Sequence, residues 1–356
     1  MNKKIGVTSL FSSAGIGTFY LDKLDLNLSL SNELLLKRAQ YHSFLYPNCL
    51  SIAGDITDEK IFNTLINKHK ELGNEILIAT PPCQGMSVAG KNDPNDVRNL
   101  LIVQVVEFIK LTKPKLIMIE NVVQLYKTKI FVNNELILIK DYIIKELSSL
   151  YKHIDFYTVN SKEFDTPQDR KRALVIISNE KFKMSQPTPI TSVRDAIEHL
   201  PSLEPGQCSS IPYHNAKTHS DRQISWMRNT PTGKSALHNE TNYPVKTDGQ
   251  RIKGFATTYK RIEWDKPSPT ITMANGSISS QNNVHPGRLN PDGTYSDARV
   301  LTLKEIFLLT GLDDTFQVPE WASENLVRQI IGESVPPKIF YLFLKENKDV
   351  LKKFNK

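Results

Sequence analysis

Along the first half of the chain, short unbroken apolar runs alternate with stretches whose apolar residues recur every three or four positions. Lys4-Ile5-Gly6-Val7-Thr8-Ser9-Leu10-Phe11, Glu75-Ile76-Leu77-Ile78-Ala79 and Lys115-Leu116-Ile117-Met118-Ile119 are short and nearly continuous, the pattern of strands buried on both faces. Leu28-Ser29-Leu30-Ser31-Asn32-Glu33, Ser51-Ile52-Ala53-Gly54-Asp55-Ile56 and residues 153–159 and 173–177 add further strands. Between them, residues 34–46, 98–112 and 131–150 carry helical spacing. Strands alternating with helices predict an α/β fold built on a doubly wound, mostly parallel sheet.

The alternation stops near Ser178. From 187 to 291 the chain is rich in Pro, Gly, Asn, Ser and Thr, with short alternating pieces such as 257–264 and 270–273. This predicts a second, smaller, irregular domain at 187–291, after a first domain at 1–186. A helix over 301–309, capped by Thr302 with Glu305 three residues on, and a last helix from Lys338 then return the chain to the first domain over 292–356.

Composition adds little to the class but restricts the partners. The chain has 356 residues, a formal net charge of +7 and a pI near 9.0, compatible with a polyanionic ligand. Its apolar runs are too short for a membrane span, and its Met-Asn-Lys-Lys start leads into a strand instead of a signal peptide. Cys49, Cys83 and Cys208 are widely spaced, which gives neither a metal-binding nor a disulfide pattern and predicts a cytoplasmic protein.

Candidate chemistry collects at the carboxyl ends of the predicted strands, the ligand edge of such sheets. The first strand runs into the small-residue turn Ser12-Ser13-Ala14-Gly15-Ile16-Gly17-Thr18, which lets backbone approach a ligand but also forms without one. Glu33, Asp55 and Glu120 each end a strand, where an acid can bind a ligand or cap a helix. Thr80-Pro81-Pro82-Cys83-Gln84-Gly85-Met86-Ser87 brings a thiol to the same edge on a stiff loop. A lone cysteine is more often a small packing residue, so its company decides its reading. Residues 88–96 have the composition of a lid, and in Thr166-Pro167-Gln168-Asp169-Arg170-Lys171-Arg172 the alternation puts Arg170 and Arg172 on one face with Gln168. The irregular domain carries many side chains that donate to phosphates and bases, among them Arg222, Lys253, Arg261, Gln281 and Arg288.

In order, the glycine turn, Pro-Pro-Cys-Gln-Gly, Glu-Asn-Val, Gln-x-Arg-x-Arg, a variable region and Gly-x-x-Val-Pro-Pro resemble the DNA (cytosine-5) methyltransferases of bacterial restriction-modification systems over nearly the whole chain. The resemblance implies the S-adenosylmethionine-dependent methyltransferase fold, with 187–291 as target-recognition domain. It implies Cys83 as the nucleophile on carbon 6 of cytosine, Glu120 on the ring nitrogen, and Arg172 with Arg170 on the ring oxygen. For S-adenosylmethionine it implies Phe11, Ser13, Ala14, Gly15, Ile16 and Gly17 at the methionine part, Glu33 at the ribose and Asp55 with Ile56 at the adenine, with Pro81, Leu101, Glu333 and Ser334 completing the pocket. DNA contacts fall to Gln84, Ser87, Lys91 and Arg98 on the closing loop, and to Arg261, Thr270, Ile271, Gln281, Asn282 and Asn283.

Two departures stand out: Phe11 lies two residues early for the family's Phe-x-Gly-x-Gly, with Ser13 in its place, and Gly332-Glu333-Ser334-Val335 replaces the usual Gly-Asn-Ala-Val. The partner implied is double-stranded DNA, bound by a monomer that forms no stable complex with any cognate restriction endonuclease. The alternatives are an RNA (tRNA) cytosine-5 methyltransferase, disfavoured by the long basic region where those relatives have a small insert, and a non-catalytic DNA-binding relative, which would have no reason to keep Cys83, Glu120 and Arg172 together.

Overall fold

A computed structural model describes residues 4–82 and 98–355. Packing divides the chain into two units: Met1–Asn160, Lys171–Gln186 and Pro337–Lys356 form the first, Ser161–Arg170 and Pro187–Pro336 the second.

In chain order the first unit comprises β1 (Ile5–Leu10), β2 (Leu26–Glu33), α1 (Leu36–Leu45), β3 (Leu50–Ala53), α2 (Glu59–Leu72), β4 (Asn74–Ala79), α3 (Leu101–Thr112), β5 (Leu116–Asn121), β6 (Lys129–Val132), β7 (Glu135–Leu138), α4 (Ile139–Leu147) and β8 (His153–Asn160). The chain passes through β9 (Gln168–Asp169) in the second unit and returns as β10 (Lys171–Ser178). The sheet order is β3-β2-β1-β4-β5-β10-β8. The first five strands pair in parallel and β10 runs antiparallel to both neighbours, so the expected mostly parallel α/β sheet is present.

The apolar runs explain its centre, because Leu77, Ala79, Ile117, Ile119, Val175 and Ile177 pack in one cluster with Leu65 of α2, Ile109 of α3 and Ile143 of α4. Helix α2 is bracketed by its own caps. Asp58 accepts the Ile61 N–H at 3.0 Å, and Gly73, at φ 63, ends the helix by donating its N–H to the His69 and Lys70 carbonyls.

The helix expected over 131–150 is only half present. Residues 129–138 form the antiparallel hairpin β6–β7, turned by Asn133 and Asn134 at φ 50 and 61, and the helix starts at Ile139. Two successive residues with positive φ make the turn that joins twisted strands, and Asn accepts that conformation more readily than most residues.

The second unit includes α5 (Val193–Ile197), α6 (Asp221–Arg228), β11 (Ser268–Pro269), α7 (Leu303–Leu309) and α8 (Glu324–Glu333). Contrary to the divide expected at 291, residues 292–336 pack within it: Ala298 and Val300 belong to the same apolar cluster as Met227, Ala236, Ile278 and Val284. The chain rejoins the first unit only at α9 (Pro337–Glu346).

With few strands, this unit is organised around buried charge. Arg299 donates to Asp297 at 2.8 Å and to both oxygens of Glu305 at 2.9 Å, and all three side chains are buried. Glu305 also accepts the Thr302 N–H at 2.8 Å, completing the expected capping box of α7.

Candidate active site at the carboxyl edge of the sheet

The turn after β1 is conformationally demanding. Phe11 and Ser13 have φ of 58 and 47, and Gly15 has φ 81. An L side chain is disfavoured in this region, so the turn is held by its surroundings. Ser12 donates both its N–H, at 2.9 Å, and its hydroxyl, at 3.2 Å, to the Asn32 carbonyl. The Gly15 carbonyl accepts from the Tyr46 hydroxyl at 2.7 Å and from Thr18 Oγ1 at 2.9 Å. A Cβ on Gly15 would stand 2.4 Å from the Tyr46 ring and 2.8 Å from His42 Cδ2, so no larger residue fits. Ala14 and Ile16 are buried beside it, whereas Phe11 is half-buried against the core cluster.

Glu33 closes β2 and faces this turn. Its Oε2 accepts the Ser13 N–H and its Oε1 the Leu35 N–H, each at 2.9 Å. A carboxylate accepts about four hydrogen bonds, so both oxygens keep capacity for a diol. Asp55, after β3, is exposed and holds Thr57 through Oδ1, while Ile56 turns into the core. Leu101 begins α3, half-buried, and Arg98 before it is exposed.

Two threads tie the proline loop to this edge. Thr80 donates its N–H to the Leu10 carbonyl at 3.2 Å and its hydroxyl to the Phe11 carbonyl at 3.0 Å. Asn121, the last residue of β5, donates to the Pro81 carbonyl at 3.0 Å. Cys83, Gln84, Ser87 and Lys91 lie outside the described residues.

Beside Asn121, Glu120 is buried and lies 3.0 Å from Nε of Arg172. Register explains the pair. Glu120 stands opposite Leu174 across the antiparallel β5–β10 ladder, so Arg172, two residues along, projects from the same face. Their side chains are 7% and 13% exposed, so neither charge is screened as on an open surface.

Arg170 does not share that face, because the chain changes element between it and Arg172. It is buried in the second unit, where Nη1 donates to the Ile271 carbonyl at 3.0 Å and Nη2 to the Glu333 carbonyl at 3.3 Å. In the same cluster Thr270 donates to the Asp169 carbonyl at 2.9 Å, and Gln168 links the Ile271 N–H to the Leu309 carbonyl. Gly332 completes it: a Cβ there would come within 2.3 Å of the Thr272 main chain, so α8 approaches that backbone as only glycine allows. Ser334 bonds back to the Ile331 carbonyl at 2.8 Å. Arg170, Thr270 and Ile271 are thus bonded to one another's surroundings within this unit.

Two of the expected DNA contacts face inward instead. Arg261 is fully buried, and its guanidinium donates to the carbonyls of Met227, His285, Ser296 and Asp297, so it faces inward. Asn283 is buried and donates to the Ser277 carbonyl. Gln281 is exposed and Asn282 half-buried at φ 47. The bracing roles of Tyr46 and Asn121 were not among the expected site residues. Tyr46 follows His42 by one helical turn, and that spacing is the signal it carried.

A seven-stranded mixed sheet with a strained glycine turn, a carboxylate clamped at the end of β2 and an acid–arginine pair at the end of β5 defines a methyltransferase of the α/β class. The family profile of the C-5 cytosine-specific DNA methylases matches residues 5–348. The chain is 46% identical to the Type II methyltransferase M1.HgaI of Avibacterium volantium, over 95% of this chain and 96% of that one. With M1.HphI of Haemophilus parahaemolyticus the identity is 27%, over 92% and 82% of the two chains. Among solved structures, the Entamoeba histolytica methyltransferase EhMeth superposes with a TM-score of 0.63 at 15% identity, covering 98% of this chain and 99% of that one. Schizosaccharomyces pombe Dnmt2 gives 0.61 at 13%, covering 97% and 99%, and both show the same fold. The chain belongs to the C-5 cytosine-specific DNA methylases. Membership implies S-adenosylmethionine as methyl donor, and the residues present fit it: Glu33 offers acceptors to a ribose diol beside the turn whose Ser13 N–H it holds.

Proposed function

We propose that the chain methylates carbon 5 of a cytosine turned out of a specific duplex sequence, with Cys83 as covalent nucleophile. The observation that carries the reading is the buried Glu120–Arg172 pair, whose acid lies on the strand whose last residue, Asn121, holds the lead-in to Cys83. Cytosine is too weak a nucleophile at carbon 5 to react directly, so the ring must first be activated. The Cys83 thiolate adds to carbon 6 while Glu120 gives a proton to ring nitrogen 3, and the electron pair moves to carbon 5. Arg172 has five N–H donors, of which Nε faces Glu120 and one on Nη1 meets the Lys171 carbonyl, and it binds the ring oxygen through another. Bound S-adenosylmethionine supplies an electrophilic methyl group. A base then removes the proton at carbon 5, the carbon–sulfur bond breaks to regenerate the Cys83 thiolate, and ring nitrogen 3 returns its proton to Glu120.

The Ser13–Gly17 turn and Glu33 hold the donor's methionine and ribose ends, with Asp55, Ile56, Pro81 and Leu101 at the same strand edge. The base is extruded from the duplex to react, because it cannot be reached inside a helix. The enzyme acts as a monomer. Its similarity to Type II methyltransferases supports protection of host DNA from a restriction endonuclease that cuts the same site.

Bisulfite sequencing of DNA from cells expressing the protein tests this reading, with Cys83→Ser in parallel. We expect modified cytosines in one sequence context with wild type and none with Cys83→Ser, which still binds DNA. Retained modification by Cys83→Ser would refute the covalent route.

A further inference from the structure

Burial of Arg261 and Asn283 leaves open what the second unit presents to DNA, and one exposed aromatic answers it. Phe255 is 76% exposed, more than any other large apolar side chain among the described residues. Residues 253–256 around it are all exposed, yet the backbone beneath the ring is fixed. The Phe255 carbonyl accepts from the Thr258 N–H at 2.9 Å and from its hydroxyl at 2.8 Å. At the other end of the turn, Arg251 donates to the Leu237 carbonyl at 2.6 Å and the Asn239 carbonyl at 2.9 Å, with its guanidinium 4.0 Å from the Tyr243 ring centre. A ring held in water on an anchored turn is a pre-organised contact, since little order remains to be gained on binding.

Its surroundings select the ligand. Between Asp248 and Glu263 the chain carries Arg251, Lys253 and Lys260 outside the buried Arg261, and no carboxylate. The turn runs directly into the segment that pairs with the exposed Gln281: Thr258 bridges Gln281, and Asn282 donates its N–H to the Thr257 carbonyl at 2.8 Å. The Ser235–Lys260 bridge joins Lys234, also exposed, to the same small platform. An exposed aromatic among lysines and amide side chains is the combination that binds nucleic acid, with cations along phosphates and a ring against bases.

We propose that Phe255 is the stacking contact of the recognition unit, its ring placed against bases of the bound DNA. Arg261, next to Lys260 in the chain, ties into the platform through its N–H, which donates to the Lys234 carbonyl at 3.0 Å.

The proposal rests on the DNA-methylating function above, and the test separates the two. A duplex oligonucleotide carrying the site mapped by bisulfite sequencing is titrated with wild type and with Phe255→Ala, Phe255→Leu and Phe255→Trp. Phe255→Ala weakens binding by about 5- to 100-fold, as loss of one base-stacking ring does, with unchanged thermal unfolding and cofactor affinity. The slope of log affinity against log salt stays the same for that variant, because a phenyl group neutralises no phosphate, while Lys253→Ala lowers it by about one. Phe255→Trp binds as wild type, and Phe255→Leu keeps apolar bulk without stacking and falls between. Binding by Phe255→Ala within about twofold of wild type overturns the contact, and Phe255→Leu equal to wild type overturns stacking as its nature. Wild-type protein that neither binds nor methylates DNA overturns the function itself.

Discussion

Replacing Arg299 with Met removes the cation at the centre of the second unit and leaves two carboxylates without it. Arg299 is fully buried, bonded to Asp297 at 2.8 Å and to both Glu305 oxygens at 2.9 Å. Removing one partner of a buried pair costs about 3–5 kcal/mol, because the charge left behind has lost its water. For a unit of this size that lowers the unfolding midpoint by about 6–20 °C.

The pH dependence is the sharper test. In the wild type, burial pushes the Glu305 carboxyl up, but Arg299, His285 and the Thr302 N–H more than offset it and hold the group at about 2. Asp297 is also held well below the usual carboxylate range, against its burial, by His285 and Arg299. Both carboxylates therefore contribute stability that is present above their unfolded values and lost only as pH falls toward the folded ones. Without Arg299 the burial effect dominates and the order reverses, so the folded state gains by taking up protons. The deficit relative to wild type should be largest near pH 8 and should narrow toward pH 4.5. Urea unfolding of both proteins at several pH values measures it. A deficit below about 1 kcal/mol, or one independent of pH, would refute the assignment of this network as the unit's electrostatic centre.

Gly15→Ala places a Cβ 2.4 Å from the Tyr46 ring at φ 81, and we expect at least about a tenfold weaker affinity for S-adenosylmethionine by calorimetry, with DNA affinity unchanged. Acid should destabilise the first unit well above the carboxylate range. Burial lowers His42 to about 3, and burial with Lys70 lowers His69 to about 4, so each stays neutral in the fold while the unfolded chain takes its proton near 6.5. Their stabilisation is complete above pH 6.5 and falls as pH drops toward the folded values, by about 2 kcal/mol each at pH 5, which urea midpoints at pH 7 and pH 5 would register.

The acids and the sheet were legible because strand ends are fixed by apolar runs: Glu33, Asp55 and Glu120 each close one. Helix α2 was not among the helices expected, although the residues that bound it, Asp58 and Gly73, are ordinary cap residues. The hairpin at 129–138 is less plain. Ile130, Phe131, Val132, Leu136, Ile137 and Leu138 suit either a helix face or a strand, and only Asn133-Asn134 decides. The arginines were the real obstacle. Arg172, which meets a carboxylate, and Arg170 and Arg261, which meet main-chain carbonyls, all stand beside a lysine in sequence. Whether a guanidinium points in or out is settled by loops distant along the chain, and local pattern does not record it.

That inward-facing Arg261 has a consequence for how such enzymes diversify. A domain ordered by strand ladders constrains every second residue, whereas one ordered by a buried guanidinium gripping the carbonyls of Met227, His285, Ser296 and Asp297 is fixed from within and leaves exposed turns such as 253–256 free to vary. Mutation can exchange what the outer turns display while the inner framework persists. New sequence preferences would then arise by substitution at a few exposed sites, with no new fold to be found.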